Sequence, residues 1–193
     1  MKKFLFISIL IFLSSCNQSS KQAENQIVKK VKPLNKEYYF DFDKIDYYNI
    51  DVKDDDLYSI LLKDIKSEKE EQFLNIITSH GIPASLRDST FLNYIEKVGY
   101  SKIEISDKKN KEINEVFKLK KHKNGYTAAC VAIFRDVMVF RKKSKIIGIA
   151  KICFGCRQYH IIGTDLDDGN FGQSGDFEKL NNILDAVKNI TNK

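Results

Sequence analysis

The residues best suited to chemistry in this 193-residue chain are three cysteines and a histidine in its last third: Cys130, Cys153, Cys156 and His160. Cys153-Phe154-Gly155-Cys156 sets two thiols at the ends of a two-residue reversal, where sulfurs can come within bonding distance. Three chemistries fit them. In an oxidising compartment the plain expectation is a disulfide between Cys153 and Cys156. A working dithiol needs a helix start beside the first cysteine to lower its pKa; here Arg157 to Ile162 reads as a strand, which leaves Arg157 alone to favour a thiolate. A zinc site would draw on Cys130, Cys153, Cys156 and His160 as a Cys3His set. Against zinc, no glycine follows Cys156, and His160 lies four residues further on, along a strand of its own. Three is an odd number of thiols, so one stays free or is shared. No cofactor is expected, with zinc as the alternative.

The elements that must position these groups are strands. Val137 and Val139 alternate with Met138 and Phe140, and the polar run Arg141 to Lys145 then calls for a reversal. The spacing predicts a hairpin of Val137–Phe140 with Ile146–Cys153, a turn at the second cysteine pair with Gly155 at positive φ, and a third strand over Gln158–Ile162. Ala128 to Phe134 fits either a further strand or an irregular lead-in.

Upstream the period changes to that of helices. Asp54, Asp55 and Asp56 supply a cap and a negative first turn ahead of Leu57, Ile60, Leu61 and Ile65. Ser67 with Glu70 forms a capping box before Phe73, Ile76 and Ile77, and Gly81 with Pro83 closes that helix. Further helices are expected from Asp88 or Ser89 to Gly99, from Ser106 through Phe117, and from Ser174 or Asp176 through Val187, with a short strand at Lys102–Ile105. Helices followed by strands give an α+β domain: several N-terminal helices packed on one face of a C-terminal antiparallel meander, closed by a C-terminal helix.

Other residues invite a functional reading beside a structural one. Tyr38, Tyr39, Tyr47 and Tyr48 fit a first strand packed on the core and would also serve to line a peptide or glycan groove. His80 sits where a helix ends and suits capping or packing. Asp165, Asp167, Asp168, Asn170 and Asp176 imitate a calcium loop, but Asn170 stands where the invariant glycine belongs and Asp176 is shorter than the usual bidentate glutamate, so a turn-rich connector is expected. Lys118, Lys120, Lys121 and Lys123 around His122 form one basic patch, read as a solvated loop. No nucleophile elbow, P-loop, dinucleotide fingerprint or zinc-protease helix occurs.

The formal charge is +6 with a pI near 9.0, and about +4 without Lys2 and Lys3, spread over mixed Lys, Asp and Glu. That balance argues against a nucleic-acid partner. Met1 to Cys16, MKKFLFISILIFLSSC, has two lysines, an apolar run and small residues ending in cysteine, the three parts of a secretory signal. Leu13-Ser14-Ser15-Cys16 resembles the lipobox of bacterial lipoproteins. The resemblance implies cleavage before Cys16, acylation of that cysteine, and anchoring to a membrane through its acyl chains. Asn17 in place of the family's inner-membrane aspartate implies the outer membrane. Each buried CH2 of such chains contributes about 0.8 kcal/mol, and more than one chain makes the anchoring stable. The strand end Ile152-Cys153-Phe154-Gly155-Cys156 is also similar to a pattern in small uncharacterised bacterial exported proteins, a group that implies no activity.

The expected organisation is a signal peptide over 1–15, a lipidated cysteine and flexible polar tether over 16–36, and one globular domain over 37–193. The expected role is a lipid-anchored cell-envelope protein that binds an envelope protein, a peptide or a glycan without catalysis. The alternative is thiol–disulfide or zinc chemistry centred on Cys153 and Cys156.

Overall fold

The computed structural model describes residues 37–121 and 129–191. Cys16 with its lipobox, the tether, Ala128, and His122 and Lys123 of the basic patch lie outside the described residues. Among the described residues, no helix is long and apolar enough to cross a membrane.

Strand β1 (Lys44–Asn49) is followed by α1 (Asp54–Leu61), α2 (Glu68–Thr78) and α3 (Ser89–Ile95), then β2 (Ser101–Glu104) and α4 (Asp107–Val116). The strands β3 (Asp136–Lys142), β4 (Lys145–Cys153) and β5 (Gln158–Ile162) come next, and α5 (Asp176–Thr191) ends the described chain. The class is α+β. All strand pairs are antiparallel in one five-stranded sheet of order β2-β1-β3-β4-β5.

The meander β3-β4-β5 is therefore only part of the sheet. β1, expected at most as a strand packed on the core, lies between β2 and β3, with Lys44 opposite Arg141 and Asn49 opposite Asp136. The helices also cover both faces instead of one. Met138 and Phe140 enter a core with Ile113, Phe117, Leu180 and Leu184 of the α4 and α5 side. Val137 and Val139 enter a second core with Leu57, Phe73, Ile76 and Ile95 of the α1–α3 side. The reason lies in the run Val137–Phe140, which is apolar at both parities and fully buried, so that each face of β3 needs a cover.

Local chemistry sets most boundaries. The Ser67–Glu70 capping box forms in full, and Asp88 and Ser106 accept from Phe91 N and Lys109 N as caps of α3 and α4. Three expectations shift by a few residues. Lys53, not an aspartate, is the N-cap of α1; its side chain makes no cap bond and the aspartates fill the first turn. α2 ends at Thr78 because Ser79 is already extended, so Gly81 caps nothing. At the second turn of the meander Arg157, not Gly155, takes positive φ, at 50°. The β3–β4 hairpin closes through Lys143 and Ser144, both at positive φ as a two-residue turn matched to strand twist requires. Gly148 faces the Phe40 ring so closely that a Cβ would collide with it.

Candidate functional site

The strand register carries the sequence-marked residues to one corner of the sheet. Lys151 pairs with His160 and Cys153 with Gln158 across β4 and β5, which puts all four side chains on the face covered by α1–α3. The irregular segment 129–135 and the turn after α2 close over them. Cys130 is bonded to Cys156, with Cα atoms 6.2 Å apart, and Cys153 is the free, buried thiol.

The expected Cys153–Cys156 disulfide is thus replaced. Cys153 lies on the inward parity of β4, shares a small cluster with Ala132 and Phe134, and accepts a hydrogen bond from Ile133 N at 3.3 Å. Cys156 sits within the β4–β5 turn, bonded to the passing Cys130. The Cys3His set does not assemble either: two of its thiols are joined, and His160 Nε2 lies 2.9 Å from the Pro83 carbonyl. No group of three or more His, Cys, Asp or Glu is placed to hold a metal ion among the described residues.

This corner also buries an amine, that of Lys151 on β4. Lys151 is 0% exposed, donates to the carbonyls of Ser79 at 2.6 Å and Ile82 at 2.7 Å, and holds its ammonium 4.5 Å from the centroid of the Phe134 ring. Burial pulls its pKa down from 10.5 to about 7. Burial likewise lowers His160. His80 meets the Phe134 ring edge-on and pairs with Gln158 Oε1 at 2.8 Å, while Gln158 Nε2 donates to the Cys130 carbonyl. Each of these polar groups has a partner within the protein.

The diagonally opposite corner is open. The last β1–β2 pair is Asp46 with Glu104, and β1 runs on to Lys44 paired only with β3 while the chain turns through Ser106 into α4. A groove fills the notch. Its middle, about 550 Å3, lies among Ile45, Asp46, Ile103, Ile105 and Asn110. Toward α4 it continues into a concavity of about 350 Å3 lined by Phe42, Asp43, Asp107, Asn110, Lys111 and Asn114. Past the end of β2 it adjoins another of about 460 Å3, which shares Asp43, Lys44, Asp46 and Lys102 with the middle one, has Arg141 and Lys143 on its walls, and by the parity of Asp46 and Lys102 opens on the α1–α3 face.

Asp46 forms the floor of that cationic end and is 2% exposed. Its Oδ2 accepts from Arg141 Nε, and Lys102 Nζ lies 2.9 Å from Oδ1 as an ion pair without hydrogen-bond alignment. Burial alone would raise the Asp46 pKa, but the contacts from Lys102 and Arg141 outweigh it and hold the carboxyl below its ordinary value. At the other end Asn110 is 8% exposed, and neither its Oδ1 nor that of Asn114 has a hydrogen-bond partner. Leaving a buried amide oxygen without a donor costs about 1–3 kcal/mol, so such a pair calls for an explanation.

The aromatic candidates do not form this surface. Tyr39, Tyr47 and Tyr48 are 5%, 0% and 5% exposed and belong to the two cores. Tyr38 is half-buried, with its hydroxyl donating to Glu115 Oε1 at 2.8 Å. The acidic loop is held inward at its end, where Asp176 accepts from Lys120 and from Gly172 N. Two signals for the overlooked residues were present in the sequence. Lys151 shares the strand parity of Ile149 and Cys153, and Asn110 and Asn114 share the helical stripe of Ile113 and Phe117. No family model, curated protein or solved structure matches this chain.

Proposed function

We propose that this chain is a lipid-anchored cell-envelope protein, placed at the outer membrane, whose folded part is a non-enzymatic binding module with the β1–β2–α4 groove as its ligand surface. The observation that carries the reading is the nine-tenths-buried side chain of Asn110, whose Oδ1 has no hydrogen-bond partner and which lines two adjoining concavities. Polar groups withheld from water and from the protein are suited to receive those of a ligand. The anchoring half of the proposal rests on Leu13-Ser14-Ser15-Cys16 and on Asn17 after it. The alternative centred on Cys153-x-x-Cys156 is less well served, since Cys156 is bonded to Cys130 and the Cys153 thiol is buried.

The test uses the full chain. Acyl labelling and membrane fractionation that depend on Cys16 support the anchor, and unchanged fractionation of Cys16→Ala sinks it. The detergent-solubilised protein is then mixed with isolated cell walls and outer-membrane fragments. Retention that Lys44→Glu with Lys111→Glu abolishes, at an unchanged melting temperature, supports the groove. Equal retention of the wild type and this double variant removes it as the ligand surface.

A further inference from the structure

We infer that the groove is a carbohydrate site, and that its ligand is an oligosaccharide carrying a carboxylate. The inference rests on the binding reading above and names the class of ligand. It is carried by the different equipment of the two ends of the groove.

At the α4 end, Asn110 and Asn114 stand one helical turn apart on the same wall, each with an amide oxygen that nothing in the protein satisfies. Rotation about the soft terminal torsion of asparagine turns either oxygen or nitrogen toward the groove. The carboxylates of Asp43 and Asp107 share this wall. Planar amides and carboxylates, side by side, match adjacent hydroxyls on a sugar ring, which can donate to one and accept from the next. An extended peptide turns one main-chain N–H to a given side for every two residues, and so has few donors for this cluster of acceptors.

Phe42 supplies the apolar complement. It is half-buried and lines the same concavity, while its ring packs on Phe140 at 5.1 Å between centroids. A ring backed by the core is a fixed platform for the C–H face of a pyranose. At the hairpin end the walls carry Lys44, Lys102, Arg141 and Lys143 against Asp43 and the buried Asp46, which leaves a cationic excess. Asp46 orients Lys102 and Arg141 without matching the whole of their charge. With one sugar seated on Phe42 and the asparagines, the next ring would pass the end of β2 and carry its carboxylate toward these cations.

The experiment titrates the full chain in detergent micelles with trigalacturonate, its methyl ester and triglutamate, reading heat and the side-chain amide signals of 15N-labelled asparagine. Trigalacturonate is expected to bind and to move the Asn110 and Asn114 signals. Esterification is expected to weaken it about tenfold or more, the loss of one charged contact. Asn110→Leu is expected to weaken trigalacturonate by a similar factor while leaving the melting temperature equal or higher, a combination that misfolding would not produce. Triglutamate binding as tightly as trigalacturonate, with the same amides shifted, would overturn the carbohydrate class and leave the binding reading standing. Silence toward all three probes, with groove-dependent retention on envelope material, would also overturn it. Silence together with loss of that retention would remove both.

Discussion

The two opposite corners of the sheet treat buried polar groups in contrary ways. At the β4–β5 corner a buried amine, a buried thiol, the half-buried His160 and Gln158 and the exposed His80 are all matched by carbonyls, amides or each other, and a disulfide fastens the cover. At the β1–β2 corner Asn110 and Asn114 keep unpartnered oxygens beside a groove. A satisfied network resists change and specifies one arrangement, whereas unsatisfied groups are a standing cost that a ligand can relieve. Richness in reactive residue types therefore marks the corner whose polar groups are already matched. The corner with the cysteines has its polar groups matched, and the corner with ordinary asparagines and lysines is the one proposed to take a ligand.

Substitutions sharpen that contrast because they should act with opposite sign. Phe134 is fully buried beneath Lys151 and His80, so Phe134→Ala should cost about 3–5 kcal/mol in urea unfolding and leave carbohydrate affinity unchanged. A loss of affinity at intact stability would show that the closed corner serves the ligand after all.

The disulfide comes next in size. It links residues 26 apart, and Cys130→Ser should lower stability by about 3 kcal/mol. Peptide mapping without reductant should find Cys130 joined to Cys156 and Cys153 alkylated only after unfolding. A Cys153–Cys156 peptide as the main product would restore the pairing expected from spacing.

Lys151 makes the closed corner pH-sensitive. Its folded pKa, about 7, lies below the ordinary 10.5, so between those values the unfolded chain binds more protons and stability rises with pH. Below about pH 7 both states hold the proton and the burial cost is at its full value. The wild type should gain at most about 1.4 kcal/mol per pH unit from this group between pH 7 and 9. Lys151→Met should flatten that rise in urea midpoints; an unchanged slope would assign it to other groups.

The smallest effect has the reverse sign. Asn110→Leu replaces a buried amide whose oxygen is unpartnered with an apolar group of similar size and should raise stability by about 1 kcal/mol while weakening trigalacturonate. Destabilisation by that amount or more would mean that the Asn110 amide is already matched, and the contrast between the corners would fail.

Much of this was legible in the residues. The Ser67–Glu70 capping box, the caps at Asp88 and Ser106, the alternation over Val137–Phe140 and the hairpin after it all depend on neighbours within a few positions, so local chemistry decides them. The α+β class follows from the same periodicities. What the sequence did not reveal is which distant segments meet. The place of β1 beside β3, the cover on both faces, the choice of Cys130 over Cys153 as partner of Cys156, and the notch left where β2 ends before β1 all rest on pairings between residues 26 to 97 positions apart. Those pairings are fixed by burying both faces of one sheet at once, a condition on the whole chain that no local window contains.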